Sequence, residues 1–345
     1  MTDICPDILY HPGAWVGAAL GGKEALIRTM DRNALAAFDE LAPWLHDRPF
    51  AEITRVDAAH PALAALMGDV RDEVMDGKGF AVLRGPDPAR YDPADYERLY
   101  WALGTHLGQG VVQSYFGDYV SRVERNPNLP WRGTTTDMEL KPHTDFHEVM
   151  ALVSIALPQS GGVSAFVSSA AVHNEIARRR PDLLKPLYEG WYNLSPLSRT
   201  PSAAKVPVYC WTQEHLSCFF NRVFYQKAEE ADEPMPRGFL EAIALMDEIV
   251  SRPDMRVEFV LEPGEMVFWH NFQVMHARTS FHDSEARRRL LLRLWLNVAA
   301  GRPMADEIRE RARLFDRDHT QGAIPASTLS SEATELAGLH WPGRR

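Results

Sequence analysis

Cysteine, long apolar runs and positive charge are all scarce in this chain of 345 residues. Its 3 Cys show no CxxC spacing, which argues against a disulfide framework and a zinc ribbon. Its longest apolar runs, such as residues 151–157, are too short to cross a bilayer. There are 37 Lys and Arg against 47 Asp and Glu, a formal net charge of −10. Because binding to phosphates and anionic membranes needs a basic surplus, we expect neither nucleic acid nor a membrane as partner.

The amino-terminal segment also lacks the basic region of a signal peptide, since it reads Met-Thr-Asp-Ile-Cys-Pro-Asp. Hydrophobic residues make up 45% of the chain and charged residues 24%, as in ordinary folded soluble proteins. We therefore expect a cytoplasmic globular protein. One number stands out, because 13 His are more than a core needs.

The spacing of apolar residues divides the chain into a helical first third and a β-rich remainder. Three- and four-residue spacing predicts helices over 23–30, 34–45, 61–75 and 91–107, with a buried strand over 79–85. Short β-rich runs follow at 111–116, 119–123, 150–157, 163–167, 206–209, 217–220, 256–261, 266–269 and 290–298. Helices are predicted within this set at 168–180, before Pro181, and at 236–250, and after it at 305–315.

Many short strands separated by turn residues are typical of a sandwich or barrel. No linker separates two domains, so we predict one domain over 1–345. It would comprise a mostly helical part (1–110), a β core with helical inserts (111–300), and a C-terminal helix and tail (301–345). The predicted fold class is mainly β with helical additions (α+β).

His-x-Asp/Glu pairs are candidate metal ligands, because a facial triad needs two imidazoles and one carboxylate around an iron ion. The composition predicts roughly two such pairs by chance, and two occur: His143-Thr144-Asp145 and His173-Asn174-Glu175. Residues two apart share a face on a strand but not on a helix. Since 168–180 is predicted to be helical, the second pair is expected on a surface helix, and the first is preferred as a ligand pair.

A third ligand must come from a distant strand, and spacing leaves two choices. Residues 264–279 offer His270 and His276, and nothing in their spacing decides between them. Further along, Arg289 and Arg293 lie four residues apart at an apolar strand, so both are expected on one face. A buried cation needs a partner. A structural salt bridge and a bidentate clamp on a carboxylated ligand both remain open.

Five motifs in order resemble the taurine dioxygenase / 2,4-dichlorophenoxyacetate dioxygenase family of Fe(II)- and 2-oxoglutarate-dependent oxygenases, related to clavaminate synthase. The resemblance spans about residues 126–296. The motifs are Glu-Leu-Lys-Pro-His-Thr-Asp (139–145), Leu-Pro-Gln-Ser-Gly-Gly-Val-Ser (157–164), Glu-Pro-Gly-Glu-Met (262–266), His-Ala-Arg-Thr (276–279) and Arg-Leu-Leu-Leu-Arg-Leu-Trp-Leu (289–296). The resemblance implies a double-stranded β-helix (jelly-roll) core.

The same resemblance implies roles for individual residues. It makes His143, Asp145 and His276 the iron ligands, with His270 as a strand residue near them. Arg289 would hold the distal carboxylate of 2-oxoglutarate. The hydroxyl of Ser164, where the family often has Thr, would bind the same group. Arg293 is grouped with Ser164 and Arg289 as a cofactor-binding candidate, and the resemblance implies a position nearer the primary substrate or the oxidised iron centre.

What the resemblance implies chemically is Fe(II) as cofactor, with 2-oxoglutarate and O2 as co-substrates. The enzyme would release succinate and CO2 while oxidising, most simply hydroxylating, an unactivated C–H bond of a small organic substrate. Spare arginines near the site favour a carboxylate- or amino-acid-like substrate. An oxygenase acting on a protein side chain, a non-catalytic jelly-roll binding protein and a zinc hydrolase are alternatives, and the oligomeric state is open, with a homo-oligomer among the options.

Candidate residues for the substrate side are less well defined by the sequence. Residues 109–131 precede the metal motif and should line the entrance, and 193–206 are typical of a lid or an irregular connection. The side-chain candidates are Gln113, Tyr115, Trp131, Phe146, His147 and Arg222, and His340 and Trp341 of the tail are candidates for docking on this or a neighbouring subunit.

Overall fold

A computed structural model describes residues 4–5, 7–113, 117–128, 133–194, 201–229, 234–299 and 301–320. Within these residues no helix is long and apolar enough to span a membrane. The three cysteines are free and buried, as the absence of a disulfide framework predicts.

The larger of two main sheets has seven strands in the order β1-β2-β12-β6-β15-β3, with β4 also paired to β15. Its strands are β1 (Ile27–Thr29), β2 (Phe80–Arg84), β3 (Gln109–Gly110), β4 (Ser121–Val123), β6 (Val149–Ala156), β12 (Glu265–His270) and β15 (Leu290–Asn297). Only β1 and β2 run parallel; the other pairs are antiparallel. The N-terminal part thus contributes strands to the same sheet as the β-rich part.

The second main sheet has four antiparallel strands in the order β11-β8-β13-β5. These are β5 (Leu140–His143), β8 (Ser164–Ser168), β11 (Arg256–Phe259) and β13 (Val274–Arg278). Two short antiparallel pairs accompany it: β7 (Ser160–Gly161) pairs with the distant β14 (Phe281–His282), and β9 (Tyr209–Thr212) forms a hairpin with β10 (His215–Cys218).

The two main sheets face each other across an aromatic core. Phe80 of β2 stacks on Phe166 of β8 with ring centroids 5.7 Å apart, and Phe166 meets Trp269 of β12 edge-on at 5.5 Å. In the described residues the sheets do not close into a barrel. The architecture is a two-sheet jelly-roll, which confirms the predicted mainly β fold with helical additions.

Helices cover the outer faces of both sheets. The N-terminal group is α1 (Lys23–Leu26), α2 (Arg32–Leu45), α3 (Pro61–Met75) and α4 (Pro93–Gly104); the later group is α5 (Ser169–Arg179), α6 (Leu184–Glu189), α7 (Arg222–Glu229), α8 (Arg237–Ser251) and α9 (Asp306–Thr320). Short 3₁₀ turns occur at Gly17–Ala19, Phe50–Glu52, Pro88–Arg90, Gly133–Thr135 and Pro181–Leu183. The helices α2, α3 and α4 share a buried core with the larger sheet, and α5, α6 and α8 share one with the smaller sheet.

The strand β15 shows how one segment serves two cores. Leu292 and Leu294 join the core under the N-terminal helices, whereas Leu291 and Trp295 join the core between the sheets. Successive side chains on a strand point to opposite faces, so a strand buried on both sides has a continuous apolar sequence. Only Arg293 interrupts it, on the face toward the inter-sheet core.

Several predicted boundaries are wrong because strand pairing overrides local spacing. The helix predicted over 23–30 ends at Leu26, where the chain pairs with β2 as β1. The strand predicted over 206–209 begins only at Tyr209, and Val206 makes an isolated bridge with Trp191. Residues 111–113 are not in a strand, and 114–116 lie outside the described residues.

Candidate metal centre

Three side chains from two distant parts of the sequence converge at the β5 edge of the smaller sheet. His143 ends β5 and is paired directly with His276 of β13. Asp145 follows two residues after His143. One ligand atom from each of the three lies within 4.8 Å of the others. The two Nε2 atoms are 3.8 Å (His143) and 3.9 Å (His276) from the Asp145 carboxylate, so the group can bind one metal ion.

The backbone around Asp145 differs from the prediction. Asp145 does not share a strand with His143, because β5 ends at His143 and β6 begins at Val149. Instead, Thr144 turns the chain: its N–H donates to the Phe220 carbonyl at 2.7 Å, and its hydroxyl accepts from the Phe220 N–H at 2.9 Å. Asp145 therefore approaches the two histidines from a loop, and not from the same strand face as His143.

Hydrogen bonding and nearby charges favour the binding of a cation by these three side chains. His143 Nδ1 lies 2.7 Å from the Lys141 carbonyl, which assigns the proton to Nδ1 and leaves Nε2 as the ligand atom. Burial, and then the charge of His143, lower the pKa of His276 to about 3. Burial raises the pKa of Asp145, but His276, His143 and Arg293 together bring it below the ordinary value. Imidazole nitrogens and one carboxylate fit the chemistry of a non-haem Fe(II) site.

Arg289 is a buried cation near the second motif. Its side chain is buried just before β15, its backbone N–H donates to Asp283 at 2.9 Å, and its guanidinium lies 5.1 Å from the Phe281 ring. Its Nη1 has no hydrogen-bond partner among the described residues. Burial, and then the charge of Arg278, lower its pKa to about 9. This guanidinium is suited to an anionic ligand.

The Gly-Gly turn makes room for this arginine. A Cβ on Gly162, which has a φ of +71°, would lie 3.0 Å from Arg289 Nε, so a side chain there would crowd the guanidinium. Ser164, two residues further, is buried at the start of β8, opposite Arg278 of β13. The turn thus brings Ser164 and Arg289 to the same end of the smaller sheet.

Arg293 lies closer to the metal-binding candidates. Its Nη1 is 3.7 Å from Asp145, and its guanidinium lies 4.1 Å from the Trp295 ring. Gln113 Oε1 accepts from Arg293 Nε at 3.0 Å, while Gln113 Nε2 donates to the Arg293 carbonyl at 2.7 Å. The expectation that Arg289 and Arg293 share one strand face is wrong, because β15 begins after Arg289 and its register shifts between Leu290 and Leu291.

Sequence reasoning missed an aromatic wall formed with the C-terminal helix α9. Phe315 stacks on Phe146 at 4.6 Å and meets Trp295 at 5.1 Å. The buried His147 lies 3.2 Å from Asp316 of the same helix and 3.0 Å from Asn297. The signal available in the sequence was the apolar Leu-Phe at 314–315 in an otherwise charged helix.

The remaining candidates occupy other places. His270 is buried at the end of β12, 3.3 Å from Glu148. His173 lies in α5, as predicted, but it is buried against Tyr188 and is not on the surface. Arg222 begins helix α7 and is not in a strand; it pairs with Asp247 at 3.5 Å. Tyr115, Trp131, His340, Trp341 and residues 195–200 of the predicted lid lie outside the described residues.

Comparison with known proteins adds independent findings. The model of the family described as "Taurine catabolism dioxygenase TauD, TfdA family" matches residues 38–295. FR-33289 synthase of Streptomyces rubellomurinus is 28% identical over 251 residues, covering 69% of this chain and 74% of that protein. Taurine hydroxylase-like protein SAT17 of Stachybotrys chartarum is 26% identical over 306 residues, covering 81% and 77%.

Solved structures share the fold. A complex of asparagine oxygenase with Fe(II), 2S,3S-3-hydroxyasparagine and succinate has a TM-score of 0.64 at 18% identity, covering 79% of this chain and 94% of that chain. The non-heme iron oxygenase OrfP with Fe and alpha-ketoglutaric acid has a TM-score of 0.60 at 16% identity, with 79% and 94% covered. Helix α9 lies beyond the residues that the family model matches.

Proposed function

The chain belongs to the taurine catabolism dioxygenase family TauD, TfdA, and we propose that it hydroxylates an unactivated C–H bond of a small, amino-acid-like molecule. As a member of this family it is a non-haem iron dioxygenase that uses Fe(II), 2-oxoglutarate and O2 and releases succinate and CO2. Its substrate is a small molecule. The amino-acid-like character of that substrate, and the residues that perform each task, are the proposal.

The convergence of His143, Asp145 and His276 carries this proposal. They supply two imidazoles and one carboxylate within 4.8 Å, which would hold Fe(II) and leave coordination positions for the co-substrates. The bound ferrous ion supplies the redox chemistry, coupling decarboxylation of 2-oxoglutarate to oxidation of the substrate. The protein's own residues position the reactants and exclude side reactions.

Arg289 and Ser164 would bind the distal carboxylate of 2-oxoglutarate. Arg289 is a buried guanidinium that packs against Gly162, and its Nη1 has no hydrogen-bond partner within the part of the chain that the structure describes. A carboxylate there would accept from the guanidinium fork and offset the cost of burying the cation. Arg278 adds a second positive charge nearby. Its guanidinium lies 4.9 Å from the Phe281 ring, the same ring that Arg289 contacts.

Arg293 would orient the primary substrate. It lies beside Asp145, held by Gln113 and Trp295, so an acidic group of the substrate could reach it near the metal. The structural neighbours include asparagine oxygenase with hydroxyasparagine and an OrfP variant with (3S)-hydroxy-L-Arg. These ligands belong to those proteins, and they support an amino-acid-like substrate here. A cytoplasmic location and a single domain stay predictions.

Succinate release across a panel of amino acids, their neutral amides and uncharged analogues tests the proposal. We expect stimulation by amino-acid-like members of the panel and no turnover in His143→Ala. Wild-type protein that releases no succinate with Fe(II) and 2-oxoglutarate would contradict the assigned site. Stimulation by neutral compounds alone would contradict the substrate class while leaving the reaction intact.

A further inference from the structure

Asn271 lies in the turn between β12 and β13, and its side chain is fully buried against the loop that carries Asp145. The Asp145 backbone N–H donates to Asn271 Oδ1 at 2.9 Å, and Asn271 Nδ2 donates to the Asp145 carbonyl at 2.9 Å. The Asn271 backbone N–H also donates to the Glu148 carbonyl at 2.8 Å. A carboxamide has one acceptor and one donor group in the geometry of a peptide, so Asn271 replaces the strand partner that Asp145 lacks.

This contact joins the two elements that carry the metal-binding candidates. Asn271 precedes β13, which carries His276, while its carboxamide binds the backbone of Asp145. On the other side of Asp145, Thr144 is bonded to Phe220. Since Asp145 lies in a loop between β5 and β6, these bonds, and not sheet pairing, hold the backbone that carries its carboxylate.

We propose that Asn271 is a positioning residue for the metal centre: it fixes the Asp145 carboxylate relative to His276 and thereby raises the affinity for the metal ion. The inference rests on the proposed function, in that it takes His143, Asp145 and His276 as the iron ligands. Residues that orient metal ligands typically contribute about 10- to 100-fold in metal affinity.

The chain contains a matched control for this role. Asn174 of α5 is also buried, and it makes the same pair of bonds with the backbone of Leu9: it accepts from the Leu9 N–H at 2.9 Å and donates to the Leu9 carbonyl at 2.9 Å. Neither Asn174 nor Leu9 is hydrogen-bonded to His143, Asp145 or His276 among the described residues. Asn174→Ala therefore removes an equivalent pair of bonds away from these three side chains.

The test compares Asn271→Ala and Asn174→Ala with the wild type. Thermal unfolding of the metal-free proteins measures the structural cost of each substitution. Anaerobic equilibrium dialysis with Fe(II), and with Mn(II) as a redox-stable probe, measures metal affinity at a temperature where all three are folded. We expect both variants to lose thermal stability. Only Asn271→Ala should bind metal more weakly, by about 10-fold or more.

Three results would decide against this view. If Asn271→Ala binds metal within twofold of the wild type, the positioning role is overturned while the proposed function stands. Equal losses of metal affinity in Asn271→Ala and Asn174→Ala would reduce the effect to general destabilisation and also overturn it. If the wild type binds neither ion, the proposed function itself fails, and the inference with it.

A second variant covers the case in which Asn271→Ala does not fold. Asn271→Asp keeps the shape and the acceptor for the Asp145 N–H, but it loses the donor and sets a carboxylate oxygen against the Asp145 carbonyl. We expect it to bind metal at least about 10-fold more weakly than the wild type. Metal binding by Asn271→Asp at wild-type affinity would overturn the inference.

Discussion

The guanidinium of Arg293 lies 3.7 Å from the carboxylate of Asp145 (Nη1 to Oδ2). The contact is longer than a hydrogen bond but within ion-pair distance, so Arg293 acts on Asp145 through its charge. Gln113 and Trp295 fix the arginine in this place. The positive charge of Arg293 therefore lies in a fixed position beside Asp145, the proposed metal ligand.

Substitution of Arg293 should separate metal binding from substrate use. In Arg293→Met the positive charge beside Asp145 is gone, so Fe(II) affinity should be unchanged or higher. Substrate-stimulated succinate release should fall about 10-fold or more, as expected when a charged hydrogen bond to the substrate is lost. Dialysis and succinate assays measure the two effects. Weaker metal binding with unchanged use of substrate would contradict this role.

Substitution of Arg289 should act on 2-oxoglutarate. In Arg289→Gln the KM for 2-oxoglutarate should rise at least roughly 30-fold, because truncating one partner of a buried charge pair costs about 2–5 kcal/mol. The ligand-free variant should be no less stable than the wild type, since the substitution removes a buried cation whose Nη1 has no partner in the described ranges of the chain. Arg125→Gln, at an exposed ion pair with Asp137, is the control and should leave the KM unchanged.

Glu124 should make stability depend on pH. Burial raises its pKa to about 7, above the ordinary value, so its folded form retains a proton that the unfolded chain loses. The associated stability is present at low pH and is lost as pH rises from about 4.5 to about 7. Glu124→Gln mimics the neutral form. In urea unfolding, its free energy of unfolding should match that of the wild type at about pH 4 and exceed it at pH 8 by at most about 3 kcal/mol. If Glu124→Gln and the wild type have equal free energies of unfolding at both pH values, the prediction is wrong.

Phe315 should influence the primary substrate and leave the co-substrate unaffected. Its ring stacks on Phe146, the residue after Asp145, and meets Trp295, against which Arg293 packs. In Phe315→Ala we expect a KM for the substrate at least about 5-fold higher, from the loss of roughly 1 kcal/mol of aromatic contact. The KM for 2-oxoglutarate should stay within twofold. An increase in the KM for 2-oxoglutarate alone would contradict a role of helix α9 at the primary substrate.

The fold class could be predicted from the sequence because local patterns report it. Turn residues between short apolar runs indicated a sandwich or a barrel, and capping residues such as Ser168, whose hydroxyl accepts from the Ala171 N–H at 3.0 Å, began helices where predicted. Boundaries failed where pairing decided, as at Ile27, which is in a strand because β2 lies beside it. Spacing within one segment contains no information about its neighbour in the sheet.

The candidate site, too, could be predicted only in part from the sequence. The motif containing His143 and Asp145 was visible because its chemistry is contained in three consecutive residues, although the strand geometry first assigned to it is wrong. The roles of these residues and of Ser164, Arg289 and Arg293 stay predictions. Asn271 and Phe315 were not predicted, because each contacts a residue more than a hundred positions away.

The sequence by itself determined the family and the reaction class, since five short motifs in order contain the iron-binding and 2-oxoglutarate chemistry. Spacing alone left His270 and His276 equivalent, and the resemblance favoured His276. The tertiary structure adds their positions, because β12 places His270 beside Glu148 whereas β13 pairs His276 with His143. It also decided what holds Asp145 in place and which helix closes the aromatic wall. Those contacts arise only when sheets and helices pack, because packing brings together side chains that are remote along the chain.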